Sequence, residues 1–227
     1  MTQITDPLGK ITYYTYDYQG NILNTTDARG NPTTYAYNYR GNVTQITDAL
    51  NKITQMTYGP SGCGSGCGGA EKISTLTDAL NHTTAYNYDA AGRLTQETDP
   101  QGRRTYYDYD ANGRMTSKTK PDGRTIYYTY DAAGRLTQRR YPDNTVNNFS
   151  YDANGNLTSA SNASIAYNFG YDADNRLTGV TDSNTRSLTY QYDAAGNRTA
   201  LTTPDGATTT YAYDNSNRVL NISNYSG

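Results

Sequence analysis

The residues with the strongest claim to chemistry are two cysteines, Cys63 and Cys67, the lone histidine, His82, and carboxylates such as Asp89 and Asp99 that recur beside glycines. The cysteines stand four apart in Gly59-Pro60-Ser61-Gly62-Cys63-Gly64-Ser65-Gly66-Cys67-Gly68-Gly69-Ala70. That spacing is close enough for a local disulfide in an exported protein, which is the favoured reading. Free thiols are the second. A metal centre at Cys63, Cys67 and His82 is the third, and it is short of the four ligands a closed site takes. The carboxylates occur in many similar copies at turn positions, where accepting backbone N–H bonds is the ordinary role, and such a series is not an active site. No catalytic residue, cofactor site or metal site is therefore expected.

The elements that carry these residues are short and periodic. In the stretch from Tyr86 to Thr105, Asp89-Ala90-Ala91-Gly92 and Asp99-Pro100-Gln101-Gly102 have one form: Asp, a turn-compatible residue, any residue, then Gly. Each predicts a type I turn closed by a left-handed residue, the three-residue hairpin loop with a G1 bulge. The tyrosine before the first turn recurs as Tyr16, Tyr37, Tyr58, Tyr88, Tyr109, Tyr130, Tyr151, Tyr171, Tyr192 and Tyr213. The spacing is about 21 residues except across the glycine-rich stretch, and Asp follows eight of the ten. The left-handed position of the first turn holds Gly20, Gly41, Gly92, Gly113, Gly134, Gly155 and Gly196, with Asn175 and Asn217 in the other two. Asn is the next residue to tolerate φ > 0, so these glycines read as structural, not as a phosphate cradle. The second turns near Ser164 and Thr185 depart from the rule, and the first of them is expected to be shortened or distorted.

Alternation within the strands predicts which face is buried. Two residues before each anchor stands a large apolar side chain, giving the pairs Tyr14/Tyr16, Tyr35/Tyr37, Met56/Tyr58, Tyr86/Tyr88, Tyr107/Tyr109, Tyr128/Tyr130, Phe149/Tyr151, Phe169/Tyr171, Tyr190/Tyr192 and Tyr211/Tyr213. The residue between them is small or polar, so every first strand turns an aromatic pair to one face. The second strand opens on an apolar residue such as Leu94 or Val43, which is expected to sit between successive tyrosines. A second apolar residue follows three positions on at Ile46, Val180, Leu201 and Ile222. An odd offset reaches the same face only through a bulge.

Composition sets the class. Leu, Ile, Val and Phe make up only about 12% of the chain, under the ~20% at which disorder becomes a concern. The 25 tyrosines and a net charge of −2 argue for an ordered, tyrosine-built sheet instead. The near-neutral balance leaves no electrostatic footprint for nucleic acid. No apolar run approaches a membrane span, and Met1-Thr2-Gln3-Ile4-Thr5-Asp6-Pro7 reads as the middle of a repeat, not a signal peptide. The expectation is an all-β antiparallel meander of about twenty short strands in ~21-residue two-strand units, one array over residues 1–227 with a Gly/Cys-rich loop at 59–70. Strand twist would curl it into a spiral or shell.

The recurring Tyr-Asp-Ala-Ala-Gly-Arg-Leu-Thr followed by Thr-Asp-Pro-x-Gly resembles the YD repeat of the Rhs family, which takes in bacterial Rhs polymorphic toxins, toxin-complex shell proteins, wall-associated proteins and teneurins. The resemblance covers the whole chain. It implies a non-catalytic, secreted or cell-surface scaffold, a segment of a hollow shell that in bacteria often encloses a toxic domain. Its implied partners are other repeat units of the parent chain, copies of itself and an enclosed cargo. The self-cleaving region and toxin domain of such proteins are not expected here: Asp6-Pro7-Leu8-Gly9 resembles part of the cleavage signature but reads as an ordinary second turn. The rival from another class is a carbohydrate-binding adhesion module, since tyrosines beside Asp, Asn and Arg suit sugar stacking, although Trp is absent. Arg93, Arg114, Arg135, Arg176 and Arg218 read as a solvated rim that pairs with turn carboxylates. The outermost strands, with Ile4 and Ile222, are expected to offer open edges for head-to-tail self-association.

Overall fold

The computed structural model describes residues 1–59 and 71–226. These form twenty-one β-strands in two compact units, Met1–Arg124 and Thr125–Gly227. The first unit holds β1 (Thr2–Thr5), β2 (Ile11–Tyr16), β3 (Ile22–Thr26), β4 (Pro32–Tyr37), β5 (Val43–Thr47), β6 (Ile53–Gly59), β7 (Lys72–Thr77), β8 (Thr83–Tyr88), β9 (Leu94–Thr98), β10 (Arg104–Tyr109) and β11 (Met115–Thr119). The second holds β12 (Thr125–Tyr130), β13 (Leu136–Arg140), β14 (Val146–Tyr151), β15 (Leu157–Ser161), β16 (Ala166–Tyr171), β17 (Leu177–Asp182), β18 (Ser187–Tyr192), β19 (Arg198–Thr202), β20 (Thr208–Tyr213) and β21 (Val219–Tyr225). Within each unit every strand pairs antiparallel with its neighbour in sequence, from Thr2↔Tyr14 in the first to Tyr211↔Ile222 in the second. The fold is an all-β open meander. Cys63 and Cys67, and with them the disulfide, thiol and metal readings, lie outside the described residues.

The turns are built as their residues require. In the loop from Asp89 to Arg93, Gly92 N donates to Asp89 O at 2.9 Å and Asp89 N to Arg93 O at 2.9 Å, the bond pair of a type I turn with a G1 bulge. Gly92 sits at φ 76°, and Asn175 and Asn217 hold the same left-handed region at 61° and 59°. The turn near Ser164 is shorter by a residue: Asn162 N donates to Ile165 O at 2.9 Å, while the neighbouring second turn runs from Asp182 N to Arg186 O. Thr185 keeps the full-length turn at φ 64°, a region that crowds a β-branched side chain. Thr185→Asn is therefore expected to stabilise the chain by about 1 kcal/mol, read as a higher denaturation midpoint. A lower midpoint would mean that the Thr185 side chain makes compensating contacts.

A bulge inside each hairpin resolves the odd apolar offset. Tyr37 lies opposite Val43 and Tyr35 opposite Ile46, so one extra residue, Thr44, is inserted in β5 and both apolar residues share the tyrosines' face. The same shift sets Phe169 against Val180 and Tyr190 against Leu201. The extra position is usually threonine, whose hydroxyl returns to the facing strand: Thr95 Oγ1 donates to Asn87 O at 3.2 Å and Thr137 Oγ1 to Thr129 O at 3.1 Å. The Thr-rich character of the second strand follows from this.

Among the described residues each strand touches only its neighbours in sequence, so each unit is one layer thick. Its aromatic side chains are consequently half-buried. Among the described residues only Ala200, Ser117 and Asp182 are buried, and Tyr16 is 41% exposed. Stability must therefore come from contacts along the sheet, between one hairpin and the next, in place of a packed interior.

Candidate functional site

The repeated turn, its anchor tyrosine and the residue after its glycine form one contact surface, best described at Asp89-Ala90-Ala91-Gly92-Arg93. Asp89 Oδ1 accepts the backbone N–H groups of Ala91 and Arg93, both at 2.9 Å, and Oδ2 accepts Arg93 Nε at 2.7 Å. Both carboxylate oxygens are thus engaged by the turn itself. The backbone N–H of Arg93 holds the Asp89 carboxyl below the usual range, burial partly opposes it, and the guanidinium adds to the lowering. Asp110 and Asp131 are lowered in the same way, by the backbone N–H of Arg114 and Arg135 first. A carboxylate so held is a poor proton donor or base near neutral pH. Four second turns lack the first aspartate: Asn162 Oδ1 accepts the turn N–H groups in one, and in those starting at Lys120, Tyr141 and Thr203 an aspartate two residues on, Asp122, Asp143 or Asp205, accepts the closing N–H instead.

The anchor tyrosines do more than fill a face. Tyr109 Oη donates to the backbone carbonyl of Leu94 at 2.8 Å, reaching from β10 across to the start of the adjacent β9, which belongs to the preceding hairpin. The bond recurs from Tyr37 to Ile22, Tyr58 to Val43, Tyr88 to Ile73, Tyr151 to Leu136, Tyr171 to Leu157, Tyr192 to Leu177 and Tyr213 to Arg198, at 2.6–3.1 Å. A side chain was expected between successive tyrosines; the tyrosine also spans that gap through its hydroxyl. Sequence reasoning missed this, yet the signal was present. Position two before the anchor accepts Met56, Phe149 and Phe169, while the anchor itself is tyrosine ten times in ten. The first of the series, Tyr16, stacks on Tyr14 with centroids 6.5 Å apart and accepts Thr2 Oγ1 at 3.1 Å.

Three of the arginines after the turn also work forward. Arg93 Nη1 donates to Asp110 O at 3.0 Å, in the next first turn, and its guanidinium lies 4.9 Å from the centre of the Tyr109 ring. Arg135 makes the same two contacts with Asp152 O (2.7 Å) and Tyr151 (4.8 Å), and Arg176 with Asp193 O (3.1 Å) and Tyr192 (5.1 Å). The expected pairing with turn carboxylates is present, but the side chains are not a solvated rim: Arg93 and Arg176 are 33% and 28% exposed. Arg218 pairs with Asp214 in the last turn and is 80% exposed, so the cover comes from the following repeat.

Where asparagine replaces arginine the link is shorter. Asn156 Nδ2 donates to its own Asp152 Oδ2 at 2.9 Å and to Asn175 Oδ1 of the next turn at 2.7 Å; Asn197 does the same with Asp193 (3.0 Å) and Asn217 (2.8 Å). The asparagines at φ > 0 thus use their side chains as well as their backbone tolerance, which corrects the purely conformational reading of that position. Next to the glycine-rich stretch in sequence the device differs again: Glu71 Oε2 accepts Asn38 Nδ2 at 2.9 Å and Asn42 Nδ2 at 3.0 Å, supplying a carboxylate to the turn that begins with Asn38. His82 is 53% exposed with Nδ1 3.1 Å from Asp78 Oδ2 of its own turn. Among the described residues no group of three His, Cys, Asp or Glu side chains could hold a metal.

Comparison with known proteins bears on the same repeated hairpins. The fold resembles the crystal structure of TcdB2-TccC3-Cdc42 with a TM-score of 0.59, at 14% identity over 99% of this chain and 15% of that one. It resembles the crystal structure of TcdB2-TccC3 with a TM-score of 0.59, at 16% identity over 95% and 15% of the two chains. For the Photorhabdus luminescens Tc holotoxin pore the TM-score is 0.54, at 15% identity over 96% and 17%. At these identities the likeness is one of fold, and this chain spans about a sixth of the length of those it matches. No curated protein matches the sequence. The family model described as RHS Repeat matches residues 1–32, 16–59, 72–104, 109–146 and 171–208. Since these segments take in more than half of the sequence and coincide with the hairpins described above, the chain belongs to the RHS repeat family.

Proposed function

We propose that this structural repeat scaffold is a stretch of wall in a secreted shell, enclosing a cargo domain, and that it has no catalytic role. The supporting observation is the direction of its polar chemistry: the anchor hydroxyls and the Arg93-type guanidiniums bond to neighbouring repeats, and the turn carboxylates to their own turns. A surface built this way joins hairpins and leaves few free reactive groups for a substrate. The likeness in fold to a Tc holotoxin pore supports cargo of that kind. Protease protection in the natural full-length polypeptide tests it. Segments outside the repeats should resist digestion until the repeats are unfolded, and digestion at the rate seen without the repeats would overturn enclosure.

The outer strands of the two units leave Ile4 62% and Ile222 56% exposed. We propose that further repeat strands cover them, supplied by the parent polypeptide or by copies of this chain. Light scattering over a concentration series separates the two sources: growing mass identifies copies, and a constant monomer mass leaves the parent polypeptide.

A further inference from the structure

Neighbouring first turns lie two strands apart, about 10 Å at the usual strand spacing, and something must bridge that gap at the residue after the turn glycine. Two solutions occur. With arginine at that residue the next turn within the same unit carries glycine, as in Arg93–Gly113, Arg135–Gly155 and Arg176–Gly196. Asparagine stands there four times; leaving aside Asn42, whose next turn falls in the glycine-rich stretch, the next turn carries asparagine in two of three cases, Asn156–Asn175 and Asn197–Asn217.

The geometry explains the pairing. A Cβ built on Gly113 or Gly196 would lie 3.8 Å from Nη1 of Arg93 or Arg176, whereas one built on Gly155, opposite Arg135, would meet nothing within 4 Å. A methyl group would fit, but a carboxamide beyond it would enter the space of a guanidinium already fixed on the next tyrosine and the next aspartate carbonyl. The shorter asparagine cannot cross alone, so Asn175 Oδ1 meets Asn156 Nδ2 midway at 2.7 Å. In the third case, Asn21–Gly41, Asn21 Nδ2 bonds within its own turn, to Asp17 Oδ2 at 2.8 Å and Gln19 Oε1 at 3.5 Å.

We infer that these two positions form a matched pair that decides which repeat fits beside which: arginine takes a neighbour whose turn has glycine, and asparagine takes one whose turn has asparagine. The pairing specifies the partner surface of each repeat, independently of anything the strip encloses. It makes Arg218 the receptor for a Tyr-Asp-x-x-Gly turn.

A double-mutant cycle in the whole chain tests this. Asn156→Arg and Asn175→Gly should each lower the thermal midpoint by about 2–4 °C. The double variant should recover most of that loss by rebuilding the Arg–Gly junction. The inverse cycle, Arg176→Asn with Gly196→Asn, should behave alike and covers the case in which Asn156→Arg does not fold. Additive losses in both cycles, with the double variants the least stable, would overturn the matched pair.

Discussion

Tyr192→Ala is expected to lower stability by about 2–3 kcal/mol, several times the effect of Gln191→Ala beside it. Tyr192 loses a half-buried ring, its bond to Leu177 O at 2.9 Å and the Arg176 guanidinium 5.1 Å from the ring centre. The full 3–5 kcal/mol of a buried aromatic does not apply, because the sheet has no second layer to bury it. Gln191 points to the opposite face, itself exposed although its partner Ala200 is buried, and its truncation should cost within about 0.5 kcal/mol. Tyr192→Phe keeps the ring and isolates the hydroxyl, whose loss leaves one carbonyl without that donor and should cost about 1 kcal/mol. Urea denaturation of the three variants gives the order. Equal midpoints for the alanine variants would reject the face assignment, and a phenylalanine variant equal to the parent would reject the hydroxyl bond.

The chain is also expected to unfold in alkali well before its backbone is chemically damaged. Burial raises the hydroxyl pKa of Tyr37, Tyr58, Tyr86, Tyr88 and Tyr109, and burial with the nearby Glu97 carboxylate raises that of Tyr107 to about 12. An unfolded tyrosine titrates near pH 10. A raised folded value means that the native state holds these protons more tightly, so the stability is fully present below pH ~10 and is lost as pH rises through ~12. Several tyrosines act together, since ionising each anchor removes a donor and puts charge on a half-buried face. Tyrosinate absorbance and circular dichroism followed together from pH 9 to ~12.5 should change in one cooperative step. Smooth titration near pH 10 with the sheet intact would show that the hydroxyls are not held.

Much of this was legible in the residues. The 21-residue period, the φ > 0 positions and the alternation of strands such as β12, Thr125–Tyr130, need only local rules, because a hairpin is a local structure. The bulge at Thr44 was signalled by the odd spacing of Val43 and Ile46 but not located, since it depends on how β4 and β5 pair. The forward reach of Arg93 was not legible. A flexible side chain ends wherever the neighbouring turn places a carbonyl and a ring, and that spacing comes from the assembled strands. The same holds for Glu71, whose link to Asn38 spans the glycine-rich stretch. The hydroxyl bond was legible in principle, from the contrast between the invariably tyrosine anchor and its neighbour that tolerates phenylalanine.

The central claim is that tyrosine hydroxyls bind each repeat to the one before it. The most direct test replaces Tyr151, Tyr171, Tyr192 and Tyr213 by phenylalanine, one at a time and then together, and follows backbone amide exchange in the second unit. All four rings remain, and only the bonds to Leu136, Leu157, Leu177 and Arg198 carbonyls are removed. The expected result is a stepwise gain in exchange, about five-fold for each bond, concentrated in the strands flanking the altered junction. Exchange in the quadruple variant indistinguishable from that of the parent would contradict the claim.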